Sequence, residues 1–75
     1  MTLDEVELDV PVRITGFVSM DEDERGRLSG LGVRAGAVIT KLVPTPLQDP
    51  VECLVGPQLL AIERQVLARI RVEAA

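Results

Sequence analysis

The stretch from Val51 to Ile62, VECLVGPQLLAI, indicates two β-strands joined by a tight turn. Apolar side chains recur at every second position of its first half, at Val51, Cys53 and Val55. This period places them on one face of a strand. Gly56-Pro57 is a turn dipeptide, and the run from Leu59 to Ile62 supplies a second strand. The two strands are therefore predicted to pair as a hairpin.

Three further segments have strand character. Val10 to Val18 (VPVRITGFV) alternates apolar and other residues until Gly16, where a break in the alternation predicts a bulge or sharp bend. Ala37 to Val43 (AVITKLV) is rich in β-branched residues, which favour strands. Near the end of the chain, Ile70 and Val72 alternate with arginines, which predicts a terminal strand with one apolar face.

A short helix is predicted between the first two strands. Asp21 and Glu24 have the spacing of a capping box, and Leu28 and Leu31 stand three apart, as on one side of a helix. Gly32 is placed to end the helix in a left-handed conformation. Leu31 is expected to be a core residue, and the helix is expected to depend on docking to the sheet.

Two connectors complete the pattern, and together the elements define a fold class. Pro44 to Pro50 contains three prolines and predicts a stiff, exposed loop, whereas Arg64 to Ala68 reads as a short connector. Five short strands and one inserted helix in 75 residues predict a single mainly β domain over residues 1–75, an antiparallel sheet curled into a small barrel. Pattern alone leaves open an SH3-like barrel, an OB-like barrel or an open α+β sheet.

Composition and charge argue against several classes of protein. The formal net charge is −4, there is no histidine, and Phe17 is the sole aromatic residue, so nucleic acid is not an expected partner. The acidic start of the chain and the lack of an apolar stretch of ~20 residues predict a cytoplasmic protein without membrane insertion. The single cysteine provides neither an internal disulfide nor a structural zinc site.

Candidate chemistry is sparse. The acidic run from Asp21 to Glu24 could offer carboxylates to Fe(II), but four consecutive side chains point to different sides of a helix, so a solvated helix start is the favoured interpretation. Cys53 has no histidine base and is expected to be a small buried hydrophobe. No residue pair predicts acid–base or nucleophilic catalysis, so we expect neither an enzyme nor a bound metal or cofactor.

A resemblance to a known family extends over nearly the whole chain. Arg27 to Gly36 (RLSGLGVRAG) resembles the R-L-x-x-L-G-[LV]-x-x-G signature of the FeoA family. The same order continues with Asp49 to Glu52 (DPVE), which resembles D-P-[IV]-E, and Leu60 to Ile62 (LAI), which resembles L-A-L. The chain departs from the family pattern at Asp9, Ala35, Glu63 and Val66.

The resemblance implies a cytosolic SH3-like barrel that works with FeoB, the GTP-dependent membrane transporter of ferrous iron, and that is not itself a catalyst. Two alternatives remain: a metal-responsive regulatory module, and a self-associating module that forms a homo-oligomer. Arg25, Arg27, Arg34 and Arg64 could in principle reach a GTPase site, although surface roles are favoured.

The partner-contacting residues are predicted to be aliphatic. SH3 domains that bind proline-rich peptides use an aromatic-lined groove, which Phe17 alone cannot form. The candidates are therefore aliphatic residues of the helix end and of the proline-containing loop: Leu28, Val33, Pro46 and Leu47.

Overall fold

The computed structural model describes residues 1–44 and 46–75. It contains a 3₁₀ turn at Leu3–Glu5 and, in chain order, the following elements: β1 (Val12–Phe17), α1 (Glu22–Gly30), β2 (Val38–Pro44), β3 (Val51–Val55), β4 (Gln58–Ile62), α2 (Arg64–Leu67) and β5 (Ile70–Ala74). Pro44 belongs to the end of β2 and not to the predicted loop, and Thr45 of that loop lies outside the described residues.

The five strands form one antiparallel sheet in the order β4-β3-β2-β1-β5. The predicted mainly β class and the predicted β3–β4 hairpin are confirmed. Val55 pairs with Gln58 across the two-residue turn, and Gly56 has a φ of +57°, which fits the first position of a type II′ turn. The order leaves β4 and β5 as the two edges of the sheet, so the barrel is open between them.

The predicted irregularity at Gly16 is confirmed in the pairing of β1 with β5. Ile14 lies opposite Val72, but Gly16 lies opposite Arg71, so the register shifts by one residue. An extra residue of this kind bends a strand and increases its twist. The bend lets β1 pair with β2 through its first half and with β5 along its length.

The core is aliphatic apart from one thiol. Its buried side chains come from all five strands, from the 3₁₀ turn and from α2: Leu3, Val6, Val12, Ile14, Val33, Ile39, Val51, Cys53, Val55, Ile62, Val66, Leu67, Ile70 and Val72. Both predicted faces, that of β3 and that of β5, point into this core. Sequence reasoning did not predict Lys41 on β2, whose side chain is only 5% exposed.

Helix α1 is fixed at both ends by hydrogen bonds. The Asp21 carboxylate accepts the backbone N–H of Glu24 at 2.8 Å, as predicted for the N-cap. At the other end, the N–H of Val33 donates to the carbonyl of Leu28 and that of Gly32 to the carbonyl of Ser29, both at 2.9 Å. This pair of bonds is a Schellman motif, and Gly32 supplies its left-handed residue with φ +91°.

The connector between β4 and β5 contains a second, four-residue helix. Its N–H groups at Val66 and Leu67 both donate to the carbonyl of Glu63. Val66 and Leu67 are buried, so α2 closes one end of the core against the 3₁₀ turn. A single turn is too short to show helical periodicity in the sequence, which is why it was predicted only as a connector.

Candidate partner-binding groove

A groove of about 450 Å³ lies between α1, β4 and α2, which we call the α1–β4 groove. Aliphatic side chains form its walls, and charged or amide side chains form its rim. The aliphatic members are Leu28, Leu31, Val33, Leu60, Ala61, Ile62 and Val66, and the polar members are Glu24, Arg27, Glu63 and Gln65. A cavity of this size and lining is suited to apolar side chains of a partner.

The end of α1 determines which of two neighbouring apolar residues is exposed at the groove. Leu31 is the C-cap residue and is 46% exposed, whereas Val33 is 0% exposed. The Schellman motif turns the chain at Gly32, and it is the residue after this turn that packs back toward the helix and the core. The expectation that Leu31 is a core residue was therefore wrong, because Leu31 lies at the surface. Val33, which was predicted as a contact residue, belongs to the core and lies beneath the groove.

The other predicted contact residues occupy different places. Leu28 is half-buried, so it packs on the core and also lines the groove. Pro46 and Leu47 are exposed, Leu47 to 88%, on the loop between β2 and β3. Neither lines the groove as the described residues form it. Leu28 is thus brought together with Leu31 and Leu60 and not with this loop.

The loop that carries Leu47 is tied to the start of α2. The backbone N–H of Arg64 donates to Oδ1 of Asp49 at 3.0 Å, and its guanidinium Nε donates to the carbonyl of Gln48. Since Glu63 and Gln65 flank Arg64 and both line the groove, the loop lies beside the α2 end of the α1–β4 groove. Arg64 therefore has a structural role at this surface.

Arg69 connects α1 to the rest of the fold. Its Nη1 and Nη2 atoms donate to the two carboxylate oxygens of Glu24 at 2.9 and 2.8 Å, a bidentate ion pair. Its guanidinium also donates to the carbonyls of Ser19 and Gln65, each at 3.2 Å. Because α1 has no fully buried residue, this pair is a principal tie between α1 and the β5 side of the groove. Glu24 therefore does not complete the predicted capping box.

The Glu24–Arg69 pair is expected to make the stability of the fold depend on pH in the acidic range. Hydrogen bonds from Arg69 lower the pKa of Glu24 below its ordinary value of 4.5. A carboxylate whose pKa is lower in the folded state than in the unfolded state stabilises the fold fully at pH values above its unfolded-state pKa. This contribution is lost as the pH falls through its folded-state pKa. Glu24→Gln should therefore lower the urea midpoint at pH 7 and change it little at pH 3, as followed by circular dichroism. Glu22→Gln is the matched control, and an equal loss at both pH values would contradict the assignment.

The acidic run at the start of α1 has a capping role. Asp21 accepts the N–H of Glu24, and Glu24 is engaged by Arg69, so two of the four carboxylates already have protein partners. Within residues 1–44 and 46–75, no group of three or more acidic, cysteine or histidine side chains is gathered as metal ligands. Protein contacts therefore account for Asp21 and Glu24 at the start of the helix.

Cys53 is buried beside Lys41, and the pair does not form a reactive thiol. The two residues face each other across β2 and β3, and burial raises the pKa of the Cys53 thiol to about 11. Burial also lowers the pKa of Lys41, whose Nζ donates to the carbonyl of Asp4 at 3.3 Å. A raised thiol pKa opposes formation of the nucleophilic thiolate. The prediction of Cys53 as a small buried hydrophobe is confirmed.

Five aliphatic groove residues were not predicted as contacts: Leu31, Leu60, Ala61, Ile62 and Val66. The alternation of β4 with β3 offered a signal for Leu60, because it stands opposite Cys53 and so shares its face. No such signal existed for Val66, since its helix is a single turn.

Across the described ranges, no helix has both the length and the apolar character to cross a bilayer.

Comparisons with known proteins agree with this architecture. The model of the FeoA domain matches residues 1–74. The solution structure of a FeoA protein from Chlorobium tepidum superposes with a TM-score of 0.88 at 31% identity, covering 99% of this chain and 70% of that one. Iron(II) transport protein A from Clostridium thermocellum superposes with a TM-score of 0.85 at 28% identity, covering 100% and 46%. No curated protein matches the sequence significantly.

A third structure bears on the fold alone. The zinc complex of FeoA from Stenotrophomonas maltophilia, described as a prokaryotic SH3 domain protein, superposes with a TM-score of 0.79 at 22% identity, covering 97% of this chain and 89% of that one. The SH3-like class is thereby confirmed over the OB-like and open-sheet alternatives. From the domain match and the likeness to the Chlorobium protein, the chain belongs to the FeoA family.

Proposed function

We propose that this protein is a cytosolic module of ferrous iron uptake that docks on the FeoB transporter and modulates its assembly or nucleotide cycle. Family membership supports the link to iron transport. The observation that carries the docking role is the α1–β4 groove, where the half-exposed Leu31 stands beside Leu28 and Leu60. Clustered aliphatic side chains of this kind gain free energy when a partner removes them from water.

An interaction role accounts for the described residues better than catalysis does. The one thiol, Cys53, is buried with a raised pKa, and its neighbour Lys41 is held by the carbonyl of Asp4. A catalytic pair needs an activated group that can reach a substrate. The lack of a gathered ligand set in residues 1–44 and 46–75 likewise gives a metal-responsive role less support than docking.

The decisive experiment is a pull-down of this protein with detergent-solubilised FeoB from the same cells, with GTP, with GDP and without nucleotide. Specific retention in at least one state is expected, and dependence on nucleotide would connect docking to the GTPase cycle. Light scattering at several concentrations tests the self-associating alternative on the protein alone. No retention in any state would overturn the proposed function.

Leu47 is expected to extend the docking surface beyond the groove. It is 88% exposed on the loop that Arg64 ties to the start of α2. Leu47→Asp should leave the circular dichroism spectrum unchanged and weaken FeoB binding by about threefold, the effect typical of a contact at the margin of an interface. Leu47→Met is the matched control because it keeps an apolar side chain. Unaltered affinity of the Asp variant would remove this loop from the interface.

A further inference from the structure

The outer edge of β4 has unusual composition for an exposed strand edge. β4 stands at one end of the strand order and pairs with β3 alone. Its sequence, QLLAI, contains no charged residue, no proline and no glycine. Proteins commonly protect such edges with charges, prolines or bulges, because unpaired backbone groups recruit other strands. This edge carries none of these protections within the strand.

The hairpin register determines which backbone groups of β4 face outward. Val55 and Gln58 close a two-residue turn, in which the carbonyl of the first accepts the N–H of the second. Hydrogen-bonded and non-hydrogen-bonded pairs then alternate along an antiparallel ladder. The backbone N–H and C=O groups of Leu60 and Ile62 therefore form hydrogen bonds with β3, whereas those of Leu59 and Ala61 point to the free edge.

The free edge and the α1–β4 groove form one surface. Leu60 lies opposite the buried Cys53, so its side chain is on the inner face, where it lines the groove. Leu59 and Ala61 lie opposite the exposed Leu54 and Glu52, so their side chains are on the outer face. Ala61 borders the groove through its place in the strand between Leu60 and Ile62. An added strand would place every second side chain into the groove beside Leu60, as the period of two requires.

Carboxylates on the β4 side of the groove favour a cationic occupant there, whereas Arg27 lies on the α1 side. Glu52 lies opposite Ala61, and Glu63 directly follows β4 on the rim of the groove. The Glu24–Arg69 contact is the one ion pair in the described part of the chain, so Glu52 and Glu63 have no cationic partner there. A second copy of this chain would bring another net charge of −4 to the same edge. A segment bearing Lys or Arg is complementary to it.

We propose that the partner contributes an extended segment that adds as a strand to the free edge of β4. Its backbone pairs with Leu59 and Ala61, alternate aliphatic side chains enter the α1–β4 groove, and a Lys or Arg faces Glu52 or Glu63. The identification of this partner as FeoB rests on the proposed function. Strand addition of this kind takes affinity from backbone hydrogen bonds and specificity from the pockets beside them.

Ala61 offers a matched pair of variants for the test. Ala61→Pro removes the one N–H that faces the free edge at this position and leaves the bonds of Leu60 and Ile62 to β3, since proline is tolerated at edge positions. Ala61→Ser keeps that N–H and a small side chain. In the FeoB pull-down, the proline variant should bind at least tenfold more weakly than wild type, and the serine variant should bind as wild type does.

The outcomes separate this inference from the proposed function. Equal retention of wild type and both variants would overturn strand addition and leave docking on FeoB in place. Failure of wild type to bind in any nucleotide state would overturn both. If the proline variant does not fold, the added strand is tested by hydrogen exchange of the wild-type complex. The exchange is quenched and then measured residue by residue. The amides of Leu59 and Ala61 should become protected on binding, and unchanged exchange would overturn the added strand.

Discussion

Val33→Asp is expected to leave the chain largely unfolded at neutral pH. Val33 is completely buried at the point where the Schellman motif returns the chain from α1 to the core. An unpaired carboxylate at such a site costs several kcal/mol, on the order of the total stability of ~5 kcal/mol that a domain of this size has. Circular dichroism at pH 7 should show the loss of the native spectrum.

Leu31→Asp is the control for this loss, because it makes the same chemical change two residues earlier. Leu31 is nearly half-exposed, so its carboxylate stays in water and the urea midpoint should change little. Equal destabilisation by the two substitutions would contradict the assignment of Leu31 to the surface and Val33 to the core.

The same Leu31→Asp variant is expected to weaken binding to FeoB by about tenfold or more. Leu31 stands at the mouth of the α1–β4 groove with Leu28 and Leu60, where a central apolar contact is typically worth ~1–2 kcal/mol in binding. A carboxylate there would also lose hydration when a partner covers it. Titration of labelled protein against detergent-solubilised FeoB measures the change.

Val10→Asp is the matched control for the binding measurement. Val10 is 42% exposed, close to the exposure of Leu31, but it lies beside Met1 and the end of β5, on a surface that shares no residue with the groove. Its substitution should leave affinity unchanged. An effect as large as that of Leu31→Asp would show that charge alone, and not the groove, determines binding.

The strand pattern and the helix caps could be predicted because each depends on neighbours in sequence. The alternation that ends at Gly16 and the N-cap at Asp21 are local patterns, and both are present as predicted. The spacing of Leu28 and Leu31 was misread because the helix ends at Gly30, so Leu31 no longer follows its apolar side. The helical period determines which face a residue occupies only for residues that lie within the helix.

The ties that shape the groove could not be predicted from local pattern. Glu24 and Arg69 are 45 positions apart, and nothing in either segment specifies the other. Lys41 reads as a polar position in a strand, yet its register opposite Cys53 places its stem in the core. Long-range pairing of this kind emerges only when the whole sheet is assembled.

The departure from the family pattern at Asp9 changes the residue and keeps the turn. Asp9 has a φ of +66°, in the left-handed region where the resemblance places a glycine. Aspartate is one of the few other residues that adopt this conformation at modest cost. The backbone there agrees with family membership even though the side chain does not.

The aliphatic core has a practical consequence for spectroscopy. The chain has neither tryptophan nor tyrosine, so intrinsic fluorescence and near-ultraviolet absorbance report almost nothing about folding or binding. In compensation, every core side chain except Cys53 ends in methyl groups, and so do Leu28, Leu31 and Leu60 in the groove. Methyl resonances of Val, Leu and Ile therefore provide separate probes of the interior and of the α1–β4 groove in a single spectrum.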